Sequence, residues 1–193
     1  SEPEKPKEFV LPPASPTMRQ LYAYLLQQRF IDRDVLDAFT KRGMIYESCE
    51  KSRAGTKEYH NAVFVGSDEY GTARHAHKRS LYTQGNSFRR NVEGGDPRCS
   101  FHWFGNSGRL YVFEAPIDLL AFLTLYPEAW REHSYVALCG TSEQAMLWML
   151  EKDPRIQRVV LCLDHDAAGI EATGRLTDIL REHGHTRVSV LRP

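Results

Sequence analysis

The stretch from 158 to 169 constrains the fold of this 193-residue chain more than any other. An apolar, largely β-branched segment breaks off at Asp164, His165 and Asp166 and is followed by a turn of small residues. The pattern predicts a buried strand with two carboxylates at its end. Alternate residues of an extended chain point the same way, and a pair of carboxylates facing one point needs a cation or hydrogen-bond donors nearby. The alternative is that one aspartate caps the next helix and the other is solvated.

Strands and helices alternate from Arg109 to the end of the chain. Short apolar strands are predicted near 110–113, 135–138, 158–163 and 187–191, with helical patterns between them. This alternation predicts a largely parallel sheet with helices on its faces, in which sites form beyond the carboxyl ends of the strands. The residues expected at that edge are Glu114, Asp164 and Asp166, together with Gly140, Thr141 and Gly169 as neighbours of a phosphate or nucleotide.

The first half of the chain has a different organisation. Residues 1–16 hold five prolines and predict an extended linker with little order of its own. Two short helices are predicted between 17 and 43, followed by an antiparallel meander over 44–83. We therefore expect an N-terminal α+β subdomain over 17–107 and an α/β domain over 108–193.

Basic residues are concentrated between Gly71 and Arg98, with Tyr82 and Phe88 among them. Arginine binds phosphate with two hydrogen bonds and aromatic rings stack on bases, so this segment predicts a surface for single-stranded nucleic acid. An ordinary solvated loop with charged edge strands is the alternative. The residues expected to bind are Arg74, Lys78, Arg79, Arg89, Arg90 and Arg98.

Composition excludes several classes of protein. Lys plus Arg and Asp plus Glu both number 25, so no overall basic excess indicates a polyanion partner. The four cysteines form no Cys-x-x-Cys pair, which argues against a zinc ribbon and a disulfide framework. An apolar run of about 18 residues that could span a bilayer is absent, as is an apolar signal core. We expect a cytoplasmic protein without a membrane partner.

Two motifs resemble the toprim domain shared by bacterial-type DNA primases, topoisomerases and certain nucleases. Val-Phe-Glu-Ala-Pro-Ile-Asp at 112–118 is similar to the motif that carries the family's glutamate, and Asp-His-Asp-Ala-Ala-Gly at 164–169 is similar to its Asp-x-Asp motif. Leu-Cys-Gly-Thr at 138–141 lies where primases have a glycine-containing strand end. The resemblance implies a toprim-like, mostly parallel four-stranded sheet flanked by helices. It also implies a catalytic Mg²⁺ site, in which Mn²⁺ can substitute, formed by Glu114, Asp164 and Asp166.

Residues 17–107 resemble the small domain of unknown function that precedes toprim in primase-like proteins of plasmids, phages and conjugative elements. Similar features include Tyr-Ala-Tyr-Leu at 22–25, Asn-Ala-Val-Phe-Val-Gly at 61–66 and Arg-His-Ala at 74–76. The resemblance implies a primase-like nucleotidyltransferase core that binds single-stranded DNA template and nucleoside triphosphates. A helicase or relaxase domain in the parent protein is the further partner it suggests.

The sequence differs from the family pattern in two respects. Glu-Ala-Pro replaces the usual Glu-Gly, which removes the freedom of a glycine next to Glu114. Primases also place acidic residues downstream of the fourth strand, so part of the metal site is expected beyond Pro193. Two other functions stay open: a metal-dependent nuclease with Glu114 as general acid or base, and a non-catalytic module that binds nucleic acid or a partner.

Overall fold

The computed structural model describes residues 2–82 and 88–192, and the chain divides into two compact units, 1–96 and 97–193. The sequence predicts a division at 107/108. Residues 97–107 pack with the second unit because Cys99 lies in its core and β5 (His102–Trp103) pairs with one of its strands. None of the helices in the described ranges is long and apolar enough to cross a bilayer.

Part of the N-terminal segment lies along the edge of the first sheet, where Ala14 forms an isolated antiparallel bridge with Ser48. Ser15 N donates to Glu47 O over 2.8 Å, and Cys49 N donates to Pro13 O over 3.0 Å. The hydroxyl of Tyr46 donates to Pro12 O. These bonds order the segment from Pro12 to Ser15, which the sequence predicts to have little order of its own.

Two short helices precede the first sheet. Helix α1 (Arg19–Tyr22) continues as a π-helical turn over Ala23–Gln28, and α2 spans Arg33–Thr40. Asp32 caps α2, because its carboxylate accepts hydrogen bonds from the amides of Asp34 and Val35.

The first sheet is the predicted antiparallel meander with a short fourth strand, in the order β1-β2-β3-β4. The strands are β1 (Ile45–Lys51), β2 (Glu58–Ser67), β3 (Ala73–Ser80) and β4 (Arg89–Asn91). Side chains alternate between the two faces along each strand. On one face Ile45 lies opposite Phe64, and both are fully buried. On the other, Val63, Val65 and Ala76 form a small apolar cluster.

The second unit is an α/β fold with a five-stranded sheet in the order β5-β7-β6-β8-β9. Its elements after β5 are β6 (Arg109–Phe113), α3 (Pro116–Leu125), β7 (Ser134–Ala137), α4 (Gln144–Lys152), β8 (Arg158–Leu161), α5 (Ala167–Glu182) and β9 (Val188–Val190). The four predicted strands are present and mutually parallel, which confirms the fold class. The short edge strand β5 is antiparallel and is not apparent from the sequence.

The core of this unit fixes the two strands that carry the acidic residues. Val112 of β6 lies beside Leu161 of β8 in parallel register, and both side chains are fully buried in the core that also contains Met146 and Leu176. Burial of one such side chain contributes about 1.5–3 kcal/mol. The carboxyl ends of β6 and β8 are therefore held side by side.

Candidate metal centre

Glu114 follows the last residue of β6 and is half-buried. Helix α3 begins two residues later with Pro116 at its first position, where a proline costs no hydrogen bond. The intervening Ala115 has φ −123°, an extended backbone that any residue adopts. The departure from the usual Glu-Gly motif therefore costs no strain here.

Asp164 lies beside Glu114 at the neighbouring strand end. Strand pairing continues past β8, since Cys162 N donates to Val112 O over 2.8 Å. Two residues further on, Asp164 N donates to Glu114 Oε1 over 3.3 Å. The exposed Asp164 carboxylate accepts no hydrogen bond and forms no ion pair among the residues that the structure describes.

Asp166 is the N-cap of α5. Its Oδ1 accepts a hydrogen bond of 2.7 Å from Gly169 N. The capping alternative raised by the sequence is thus realised at this aspartate, with one carboxylate oxygen. Asp166 is exposed, and its other oxygen accepts no hydrogen bond from the residues that the structure describes.

Gly169 has a packing role at the site. A Cβ built at this position would lie 1.8 Å from Asp164 O and 3.0 Å from Glu114 Oε1. Contacts this short to backbone atoms are not tolerated, so only glycine lets α5 start so close to the end of β8. The glycine thus allows α5, with its capping Asp166, to start next to the strand ends that carry Glu114 and Asp164.

The site has an excess of negative charge. Burial raises the pKa of Glu114, and the charge of Asp164 raises it further, with smaller effects of the same sign from Asp166 and Asp118. The hydrogen bond from Asp164 N acts in the opposite direction. No lysine, arginine or histidine within the described ranges forms an ion pair with Glu114, Asp164 or Asp166. A cation would relieve the repulsion that these carboxylates experience.

The donor set fits Mg²⁺, which prefers carboxylate oxygens. The ligand atoms of Glu114, Asp164 and Asp166 do not all lie within 4.8 Å of one another in the described structure. Mg²⁺ keeps several waters and commonly takes only one or two carboxylates directly. The arrangement therefore suits a hydrated ion held in part through water. Asp164 also borders two clefts, of about 280 and 420 Å³, which leave room for a ligand beside it.

The loop after β7 lies at the same edge of the sheet. Cys139 N donates to Glu114 O over 2.8 Å, and Gly140 has φ +146° and is exposed. Arg175 of α5 supports this loop, because its Nη2 donates to Thr141 O over 2.6 Å and its Nη1 contacts Glu143. Sequence reasoning does not find Arg175, since one arginine on an amphipathic helix gives no signal.

The five predicted nucleic-acid-binding residues of the first unit lie on both faces of its sheet. Arg98 belongs to the second unit, in a 3₁₀ turn over Pro97–Cys99. Lys78 and Arg79 are consecutive in β3 and project from opposite faces of the sheet, as do Arg89 and Arg90 in β4.

Several of these cations already have partners within the first unit. Arg74 Nε lies 2.8 Å from Asp68 Oδ2, and this guanidinium lowers the pKa of that carboxyl. Lys78 Nζ lies 3.0 Å from Glu50 Oε1.

Arg79 Nε donates to the Tyr24 hydroxyl over 3.0 Å. By contrast, Arg89 and Arg90 are exposed on the short strand β4.

The fold and the acidic strand ends of the second unit are those of a toprim-type domain. Residues 111–193 match the family model described as Toprim-like, and residues 23–107 match the model of a protein of unknown function, DUF3991. The second domain is therefore a Toprim-like domain, and a DUF3991 domain precedes it.

One curated relative is an uncharacterized protein of Bacillus anthracis, which is 26% identical over 88% of this chain. The chain spans 50% of the length of that relative. Two solved structures share the fold. The primase fragment of the bacteriophage T7 primase-helicase protein is 17% identical, with a TM-score of 0.61 over 85% of this chain and 62% of that chain. A DnaG primase catalytic domain bound to single-stranded DNA is 16% identical, with a TM-score of 0.60 over 93% of this chain and 67% of that chain.

Proposed function

We propose that this chain is the primase-like nucleotidyltransferase core of a longer protein and uses Mg²⁺, nucleoside triphosphates and a single-stranded DNA template. The Toprim-like domain and the likeness to primase cores support a primase-like function. The observation that carries the proposal is that Glu114 and Asp164 lie in contact at the carboxyl edge of the parallel sheet. No cation among the described residues neutralises these carboxylates, and burial and their mutual repulsion raise the pKa of Glu114.

Glu114, Asp164 and Asp166 would hold the ion. When bound, Mg²⁺ would neutralise triphosphate charge and favour in-line attack by a 3′-hydroxyl. The loop at Gly140 and Thr141 follows Cys139, whose amide donates to Glu114 O, and its exposed Gly140 would accommodate a phosphate. Arg175 would keep that loop in position through Thr141 O.

Template binding is assigned mainly to Arg89 and Arg90. Cross-strand neighbours in β3 and β4 carry like charges, with Arg79 opposite Arg89 and Lys78 opposite Arg90. Like charges directly opposite one another are destabilising, and a phosphate backbone would offset their repulsion. The solved primase domain bound to single-stranded DNA is consistent with such a partner. In the full-length protein, a helicase or relaxase domain is the further partner we propose.

The test is primer synthesis by the full-length protein on single-stranded DNA with Mg²⁺ and nucleoside triphosphates. Replacing both aspartates, Asp164→Asn with Asp166→Asn, is expected to abolish synthesis. Glu182→Gln, an exposed acid at the far end of α5, is the control and is expected to leave synthesis unchanged. Undiminished synthesis by the double variant would overturn the proposal.

The raised pKa of Glu114 favours a second candidate function, that of a Mg²⁺-dependent nuclease. If Asp164 and Asp166 hold the ion without Glu114, a Glu114 carboxyl that keeps its proton to higher pH is suited to act as a general acid. Nicking of supercoiled plasmid without nucleoside triphosphates, lost in Glu114→Gln, would favour this function. Nucleotide incorporation without nicking would favour the primase function.

A further inference from the structure

Glu47, Cys49, Glu58 and His60 lie on one face of the β1–β2 pair. Cys49 is directly opposite His60 in the antiparallel register. Glu47 precedes Cys49 by two residues and Glu58 precedes His60 by two, and alternate residues of a strand share a face. Two neighbouring strands thus place a thiol, an imidazole and two carboxylates together.

Three of these side chains converge as a ligand set. One ligand atom from each of Cys49, Glu58 and His60 lies within 4.8 Å of those of the other two. His60 Nε2 is 3.9 Å from Glu58 Oε2. In tetrahedral zinc sites with bonds of about 2.0–2.3 Å, ligand atoms are about 3.5 Å apart. Small side-chain rotations therefore suffice to close the set around an ion.

Glu47 orients the imidazole. Its side chain is 1% exposed, and its Oε2 lies 2.6 Å from His60 Nδ1. Its Oε1 accepts a hydrogen bond of 2.8 Å from Leu21 N, so the carboxylate itself is fixed. Because a carboxylate only accepts, Nδ1 of a neutral His60 carries the proton and the Nε2 lone pair is left to bind a metal. In metal-binding histidines, the ring nitrogen that does not bind the metal typically donates its N–H to a carboxylate or a carbonyl in this way.

We propose that Cys49, Glu58 and His60 bind Zn²⁺, with Glu47 as the positioning residue and a water at the fourth coordination position. A thiolate and an imidazole select zinc over magnesium, whereas the acids of the second unit are the oxygen ligands that magnesium prefers. The Glu58 side chain is 59% exposed, which gives an ion access to the site. Binding requires that Cys49 lose its thiol proton to solvent.

This site needs no Cys-x-x-Cys pair, which explains why counting cysteines does not find it. Its ligands come from two strands that pair across a hairpin. The informative sequence feature is Glu-Tyr-His at 58–60, two alternating ligands on one strand, but the register that places Cys49 opposite them becomes known only from the fold.

Titration of the purified chain with Co²⁺ tests the assignment, because a cobalt–thiolate charge-transfer band reports directly on a cysteine ligand. One Co²⁺ per chain with this band is expected, displaced by Zn²⁺. Cys49→Ser should abolish the band, and His60→Gln and Glu58→Gln should weaken binding. Glu47→Gln should weaken it by about 10–100-fold, the usual effect of losing a positioning partner.

Two controls separate this site from the others. Glu69→Gln, an exposed acid in the same unit, and Asp164→Asn at the proposed Mg²⁺ site are expected to leave the band unchanged. Circular dichroism checks that each variant is folded, and the part-exposed Cys49 provides the decisive substitution if Glu47→Gln unfolds. Absence of the band in the original chain, or its persistence in Cys49→Ser, would overturn the proposal.

Discussion

Asp164 N donates a hydrogen bond of 3.3 Å to Glu114 Oε1, which joins the ends of β6 and β8. The bond comes from the backbone of Asp164, so its carboxylate is left without a partner in the described part of the chain. The backbone of Asp164 thus positions the Glu114 carboxylate, while the Asp164 side chain adds a second negative charge beside it. This relationship depends on how closely α5 approaches the end of β8.

We predict that Gly169→Ala destabilises the second unit. The added Cβ would lie 1.8 Å from Asp164 O, and the backbone must move to accept it. Overpacking of this kind costs about 1–3 kcal/mol in free energy of unfolding, which denaturant unfolding measures. The matched control is Gly174→Ala in the same helix, where nothing lies within 4 Å of the new Cβ. That variant should be more stable by about 0.5–1 kcal/mol, and equal effects of the two substitutions would contradict the packing argument.

Asp166 combines a structural role with a proposed ligand role, and two substitutions separate them. Asp166→Ala removes the acceptor for Gly169 N and is expected to cost about 1 kcal/mol of stability. Asp166→Asn keeps a capping oxygen and should cost far less. Both variants should bind Mn²⁺ more weakly in calorimetric titration. Full Mn²⁺ binding by a stable Asp166→Asn protein would restrict this aspartate to helix capping.

The sequence predicts the acidic edge because its signals are local. Apolar runs that end in acids identify the strand ends at Glu114 and Asp164, and parallel strands bring their carboxyl ends to one edge. The sequence does not predict which aspartate caps α5 and which keeps a free carboxylate, because this depends on the exact backbone path from Asp164 to Gly169. Arg175 and the Cys49–His60 pairing are likewise contacts between distant segments, for which the sequence carries no local pattern.

Glu114 should make stability depend on pH. Its folded-state pKa is raised above the value of an exposed glutamate, so the folded state binds the proton more tightly. Stability should therefore fall as pH rises from the unfolded-state pKa through the raised folded-state pKa. Urea unfolding across this range should show Glu114→Gln gaining stability relative to the original chain as pH rises. A difference that does not change with pH would contradict the electrostatic cause.

A bound cation should reverse this effect. If Mg²⁺ binds at Glu114 and Asp164, it favours the ionised carboxyl and lowers the pKa of Glu114. Carboxyl chemical shifts followed through a pH titration, with and without Mg²⁺, measure the change directly. We expect the Glu114 titration to move to lower pH with Mg²⁺ in the original chain. In Asp164→Asn the same addition should have a smaller effect.

The last prediction concerns the exposed cations of β4. Replacing Arg89 and Arg90 by alanine should weaken binding of single-stranded DNA, measured by fluorescence anisotropy at several salt concentrations. For each phosphate that the variant no longer neutralises, the slope of log K against log salt should become shallower by about 0.7.

Without DNA, the variant should be as stable as the original chain or more so, since removal of Arg89 relieves its repulsion with Arg79 across the strands. Lys41→Ala, an exposed cation that ends α2, is the matched control and should leave the slope unchanged. Equal reductions of affinity in both variants would indicate a nonspecific charge effect and would contradict a binding surface at β4.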